Sequence, residues 1–173
     1  MSTVEKRFHF RNRAVMRARP RVLIRILPAA LTLLSVSVFA ETAPRAESLI
    51  KWRQSAYQVI AWNSGRIKTA LAGPYAAQDV QSAANALAAV ANSGLATLFA
   101  PGTADGKGWR ETTARAEVFS DAAKFRALTE EFAREANTLA RVAAAGDRAM
   151  VNEQFLKVAQ TCKSCHNQFR QTD

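Results

Sequence analysis

A chain of 173 residues has room for one ordinary domain. Its formal charge of +10 invites a nucleic-acid partner, but residues 1–40 hold eight basic side chains against Glu5 and so carry +7 of it. The remaining 133 residues carry 16 basic and 13 acidic side chains with no basic run, a balance that excludes a nucleic-acid footprint.

The first predicted element, over residues 1–40, is a secretory signal. Arginines lead into ILPAALTLLSVSVF, 14 largely apolar residues at positions 26–39. Val38 and Ala40 supply the small residues wanted at a cleavage site. Fourteen residues fall short of the ~20 that a membrane-spanning helix needs. Cleavage after Ala40 would leave 41–173 as a periplasmic domain with no membrane anchor. The leader before Arg17 is long, so Met16 is the expected start of translation, with Met1 as the alternative.

Residues 41–173 contain 30 alanines and no sustained alternation of β-branched or aromatic residues, which predicts an all-α domain. The first helix is expected over about 44–72, stopped by Gly73-Pro74. The second runs over about 77–92, with Val80, Leu87, Val90 and Leu98 as its apolar stripe. A long polar connection, APGTADGKGWRETT, follows. The third helix, about 117–145, carries Phe125, Leu128, Phe132, Leu139 and Val142 and ends at Gly146, a C-cap. The fourth begins at Asp147, an N-cap, and continues to about 171. Its apolar positions Val151, Phe155, Val158, Cys162, Cys165 and Phe169 form a heptad seam, which places both cysteines on a buried stripe with His166 beside them. Four such helices joined by turns predict an antiparallel four-helix bundle.

The fourth helix carries the chemistry: Cys162-Lys163-Ser164-Cys165-His166. Dithiol redox catalysis would want this pair at a helix N-terminus after a strand, and here it lies about four turns into a helix. Structural zinc wants four ligands where three exist, and a plain disulfide leaves His166 unexplained. Haem accounts for all three residues. Two thiols add across its vinyl groups as thioethers, and the adjacent imidazole reaches the iron. His166 is the only histidine after residue 40, so a second histidine ligand is excluded. Met150, the only methionine there, precedes His166 by 16 residues on the same helix, roughly 24 Å at 1.5 Å per residue. Unless a lysine or tyrosine intrudes, the iron is expected to be five-coordinate and high-spin.

The segments IKWRQSAY, AANALAAVANSG, FAPGT and CKSCHNQFR together resemble the cytochrome c′ family, across essentially all of 44–173. The resemblance implies the family's up-down-up-down bundle with one covalent haem c. It makes Cys162 and Cys165 the thioether anchors and His166 the proximal ligand. It sets Arg53 near a haem propionate, Tyr57 over the distal face of the iron in the five-coordinate branch, and Arg170 near the proximal pocket. Arg53 and Tyr57, four residues apart, share a helix face. From the residues alone, Tyr57 reads first as a core tyrosine bonded to a backbone carbonyl and Arg53 as a solvated surface cation, with surface exposure the alternative for Arg170. The expected function is electron transfer between periplasmic donors and acceptors. The rival is binding of nitric oxide or carbon monoxide at the open iron face. With no distal histidine to act as acid or base, an enzyme is not expected. Homodimerisation through the first two helices is a further expectation of the resemblance.

Overall fold

The structure, a computed structural model, describes residues 44–171. The predicted signal segment lies outside them. Five α-helices and one 3₁₀ turn follow in order: α1 (Ala46–Ala72), α2 (Ala77–Ala91), the turn Leu95–Leu98, α3 (Glu117–Ser120), α4 (Ala122–Ala145) and α5 (Arg148–Phe169). The four long helices make the bundle, with α2 packed on α1 and α4, and α4 packed on α5. Among the described residues no helix is long and apolar enough to cross a membrane.

Local chemistry sets the ends. Glu47 sits in the first turn of α1, where the helix dipole favours an anion, and pairs with Lys51 at 2.6 Å. At the other end the Gly73 amide donates to the Thr69 carbonyl, and Pro74 cannot continue the ladder. Gly146 closes α4 at φ +76, a conformation that costs a residue with a Cβ. The Asp147 carboxylate then accepts the Met150 amide at 2.8 Å and opens α5.

Three predicted boundaries move. The third helix is broken at Asp121 (φ −118, ψ 51), whose carboxylate accepts the Lys124 amide and caps a new helix, α4. Leu98 belongs to the 3₁₀ turn and not to the stripe of α2. The last helix stops at Phe169 because Arg170 turns extended and its strand-like segment pairs with the chain at Ala114. There Arg115 donates its amide to the Phe169 carbonyl at 2.9 Å, and Gln171 donates to that of Thr113 at 2.8 Å.

The core has two parts. The larger is aliphatic, with Ile67, Val80, Leu87, Leu139, Val151 and Val158 fully buried between the four helices. Ala83 and Ala84 on α2 are also fully buried, and their small side chains let the neighbouring helices approach closely. The smaller part is aromatic, built on Val118, Phe125 and Phe169 with Phe99 and Cys165 against it. Burying each large apolar side chain contributes roughly 1.5–3 kcal/mol.

Candidate haem-binding site

Beside the aromatic part lies a cavity of about 410 Å³. Helix α1 lines it with Arg53, Gln54, Tyr57, Ile60, Ala61 and Ser64. The α2–α4 connection contributes Leu95, Phe99, Arg110, Thr112, Thr113, Ala114 and Val118. Helix α4 adds Phe125, Leu128 and Phe132, and α5 with its end adds Thr161, Cys162, Cys165, His166, Phe169 and Arg170. Every predicted site residue therefore reaches one cavity, with Tyr57 on the α1 wall and the Cys-x-x-Cys-His group on the α5 wall.

The seam of α5 needs a correction that the cavity explains. Its buried positions are Val151, Gln154, Val158, Thr161 and Phe169. Both cysteines are half-buried because their face of the helix looks into the cavity, and Phe155 is half-buried against the edge of the aliphatic core. Gln154 is buried on the α4 side, where its amide donates to the Glu135 carboxylate at 2.6 Å and carbonyl at 3.1 Å. Cys162 and Cys165 are unbridged thiols. Burial raises the pKa of both, pushing Cys165 up to about 11, so they stay protonated at neutral pH. His166 stands at the rim, exposed overall; partial burial and then the charge of Arg170 lower its pKa, which favours the neutral imidazole that a metal requires.

The Tyr57 ring meets Phe99 edge-on, with centroids 6.4 Å apart. Phe99 continues to Phe125 at 4.7 Å and Phe125 to Phe169 at 5.3 Å, also edge-on, which walls the cavity with aromatic rings. Burial is the main reason that the Tyr57 phenol titrates well above its ordinary value. Among the described residues its hydroxyl has no backbone carbonyl as partner, contrary to the core-tyrosine alternative.

Arg53 departs from the solvated alternative altogether, at 3% exposure. Its Nη1 donates to Thr103 Oγ1 at 2.9 Å and, longer, to the Leu98 carbonyl at 3.4 Å. Its Nη2 donates to the Thr103 carbonyl at 2.7 Å and to Thr112 Oγ1 at 2.6 Å. The guanidinium also stacks 4.6 Å from the Phe99 ring centre. Arg170 is exposed, as its alternative had it, and still lines the rim. Sequence reasoning missed Phe99, Arg110 and the two threonines, which come from a connection with no helical periodicity to mark them.

The lining suits haem c. Its wall is aliphatic and aromatic, matching a flat macrocycle. Two thiols and an imidazole stand together on one side of it, and among the described residues its charged members are Arg53, Arg110 and Arg170, with no carboxylate. An apolar slot with a cationic rim matches an apolar ring that bears two carboxylates.

Residues 48–170 match the family model for cytochrome c′. A cytochrome c′ of Rhodocyclus tenuis is 52% identical over 130 residues, covering 75% of this chain and 98% of that protein. A crystallised cytochrome c′ described as having a ligand-controlled dimer dissociation superposes with a TM-score of 0.73 at 40% identity, over 75% of this chain and 99% of that one. The nitric oxide complex of a mutant cytochrome c′ from Alcaligenes xylosoxidans superposes at 0.67 and 29% identity, over 76% and 99%. With the fold, the Cys-x-x-Cys-His wall and these matches in agreement, the chain belongs to the cytochrome c′ family, whose members carry covalently bound haem c.

Proposed function

We propose that this protein is a periplasmic electron-transfer cytochrome with a single five-coordinate, high-spin haem, and that it is not an enzyme. The observation that carries the reading is the cavity with Cys162, Cys165 and His166 on its α5 wall and, on its α1 wall, Tyr57 with no histidine, methionine or lysine among the described residues lining that wall. Each thiol adds its S–H across one vinyl double bond, the sulfur to one carbon and the hydrogen to the other, so attachment needs no oxidant. Thiols held protonated by burial resist closing on each other before that addition. The neutral His166 imidazole offers a ring nitrogen to the iron.

Bound there, haem supplies an iron that alternates between ferric and ferrous and accepts a small ligand on an uncovered face. The residues oppose a sixth protein ligand. Among the described residues no lysine or methionine lines the cavity, Met150 being 56% exposed at the far end of α5. Tyr57 is held as a phenol, the form that binds iron weakly. An absorption spectrum of the ferric and ferrous protein tests this: sharp bands of a doubly ligated, low-spin centre, or colourless protein, would overturn it.

Gas binding is the second reading. It is favoured by the phenol ring of Tyr57 on the α1 wall, and by the related protein crystallised with nitric oxide. A carrier benefits from six-coordination, which holds iron geometry constant on reduction; an open position favours a gas site. Electron-exchange rates with periplasmic donors, set against nitric oxide affinity, decide the order. Negligible exchange beside tight binding would make gas capture the primary role.

We infer a homodimer through the outer side of α1. Trp52, Val59 and Trp62 lie on that side at 52%, 42% and 65% exposure, more apolar surface than a solvated helix face carries alone. W62E should sediment as a monomer; a wild-type monomer at micromolar concentration would refute the assignment.

A further inference from the structure

Two arginines reach the cavity from the α1 side, and their surroundings differ. Arg53 has four terminal N–H groups, and all four point to acceptors on the α2–α4 connection: Leu98, Thr103 twice and Thr112. These acceptors are neutral. Arg110 is exposed, lines the same cavity, and its side chain forms neither an ion pair nor a hydrogen bond among the described residues.

The backbone of Arg110 is nonetheless fixed. Gln54, next to Arg53 on α1, accepts the Trp109 amide on its Oε1 at 2.8 Å and the Arg110 amide at 3.4 Å. Its Nε2 donates to the Arg110 carbonyl at 2.9 Å. Gly108 permits this approach: a Cβ there would lie 2.6 Å from Gln54 Oε1 and 2.8 Å from the Lys51 amide nitrogen. The Trp109 indole donates to Ser55 Oγ at 2.9 Å, a further tie to α1. A side chain with a free guanidinium, on a backbone held this firmly, is prepared for a planar anion at the cavity mouth.

We propose that Arg110 binds a carboxylate of the group in the cavity, and that Arg53 is a positioning residue that clamps the connection bearing it. This rests on the cavity holding haem, and the carboxylate is then a propionate. A free guanidinium can meet a carboxylate with two parallel N–H bonds, whereas Arg53 has only its Nε–H left to give. Arg170 is the competing partner, exposed at the same rim.

The test uses the haem-loaded protein and its R110Q, R110K, R53Q and R170Q variants, with three readouts. These are the reduction potential, the propionate-bending band in the resonance Raman spectrum, and amide exchange over residues 106–112. R110Q removes a cation from the cavity mouth, and losing positive charge there favours the ferric form. It should lower the potential and move the bending band while exchange stays as in wild type. R110K should retain the potential, and it carries the test if R110Q does not accumulate. R53Q should speed exchange of the segment. The proposal is overturned if R110Q leaves band and potential unchanged, with or without a response in R170Q. It is overturned equally if R110Q loosens the segment, or if R53Q does not. A colourless wild type would defeat the haem reading itself, whereas a normal wild-type spectrum with a silent R110Q would defeat the Arg110 assignment alone.

Discussion

Replacing Tyr57 by alanine should tighten carbon monoxide binding to the ferrous protein by about two- to twelve-fold. A ligand arriving on the wall opposite His166 has to move the Tyr57 ring, and that ring is held by its edge contact with Phe99 at 6.4 Å. Phe99 cannot follow, because its ring is held between the Arg53 guanidinium, 4.6 Å from the ring centre, and the Phe125 ring, 4.7 Å from it. Displacement therefore breaks the pair. Such aromatic pairs contribute roughly 0.5–1.5 kcal/mol, and at about 1.4 kcal/mol per tenfold that sets the predicted range. The assay is a carbon monoxide titration of the reduced protein, with rebinding followed after photolysis. Tyr57→Phe keeps the ring and removes a hydroxyl that bonds no backbone carbonyl among the described residues, so it should stay within about twofold of wild type. An unchanged affinity in Tyr57→Ala would refute steric control. A Tyr57→Phe variant as tight as Tyr57→Ala would assign the control to the hydroxyl instead.

Arg53→Leu should destabilise the protein by about 3 kcal/mol, since it removes three short charge-assisted bonds to Thr103 and Thr112 while relieving the burial of a cation. Thermal unfolding by circular dichroism should show a fall of about 10 °C, and a change under about 2 °C would refute the clamp. Cys162→Ser with Cys165→Ser should leave any haem extractable with acidified ketone and abolish haem staining on a denaturing gel. Haem that stays attached to the double variant would place the covalent anchor elsewhere.

What was legible in the sequence was local. Gly73-Pro74 and Gly146-Asp147 punctuate the helices by rules that operate within four or five residues, and the boundaries of α1, α2 and the α4–α5 turn fell where they predict. The Cys-x-x-Cys-His group was legible because its three functional residues are nearly contiguous. Asp121 was hidden because Val118 and Phe125 keep helical spacing straight through the break, and only the capping bond to Lys124 reveals it. The clamp could not be read at all. Arg53 meets Thr103 and Thr112 across 50 and 59 residues of chain, and nothing periodic in APGTADGKGWRETT announces that it folds back on α1. Arg110 was lost in the same stretch. The half-burial of the cysteines was likewise beyond a heptad pattern, which marks the positions facing the bundle interior without saying whether that interior is packed or hollow.

The buried phenols give the bundle an alkaline limit. Burial raises the pKa of Tyr57, and it raises that of Tyr75, whose hydroxyl is buried with no hydrogen-bond partner. In the unfolded chain each titrates near 10. Below that pH both states hold the proton and stability is at its full value. Above it the unfolded state releases a proton that the folded state keeps, so the unfolded state gains and stability falls as pH rises toward the folded pKa. The slope is at most about 1.4 kcal/mol per pH unit for each tyrosine. Once Cys162 and Cys165 are thioethers they no longer titrate. Urea unfolding of the haem-loaded protein between pH 9 and 11.5 should therefore show stability declining above about pH 10, with Tyr57→Phe flattening the decline. An equal decline in Tyr57→Phe and wild type would mean that the Tyr57 hydroxyl remains in contact with water when the cavity is filled, and the argument for a phenol sealed into the opposite wall would fail with it.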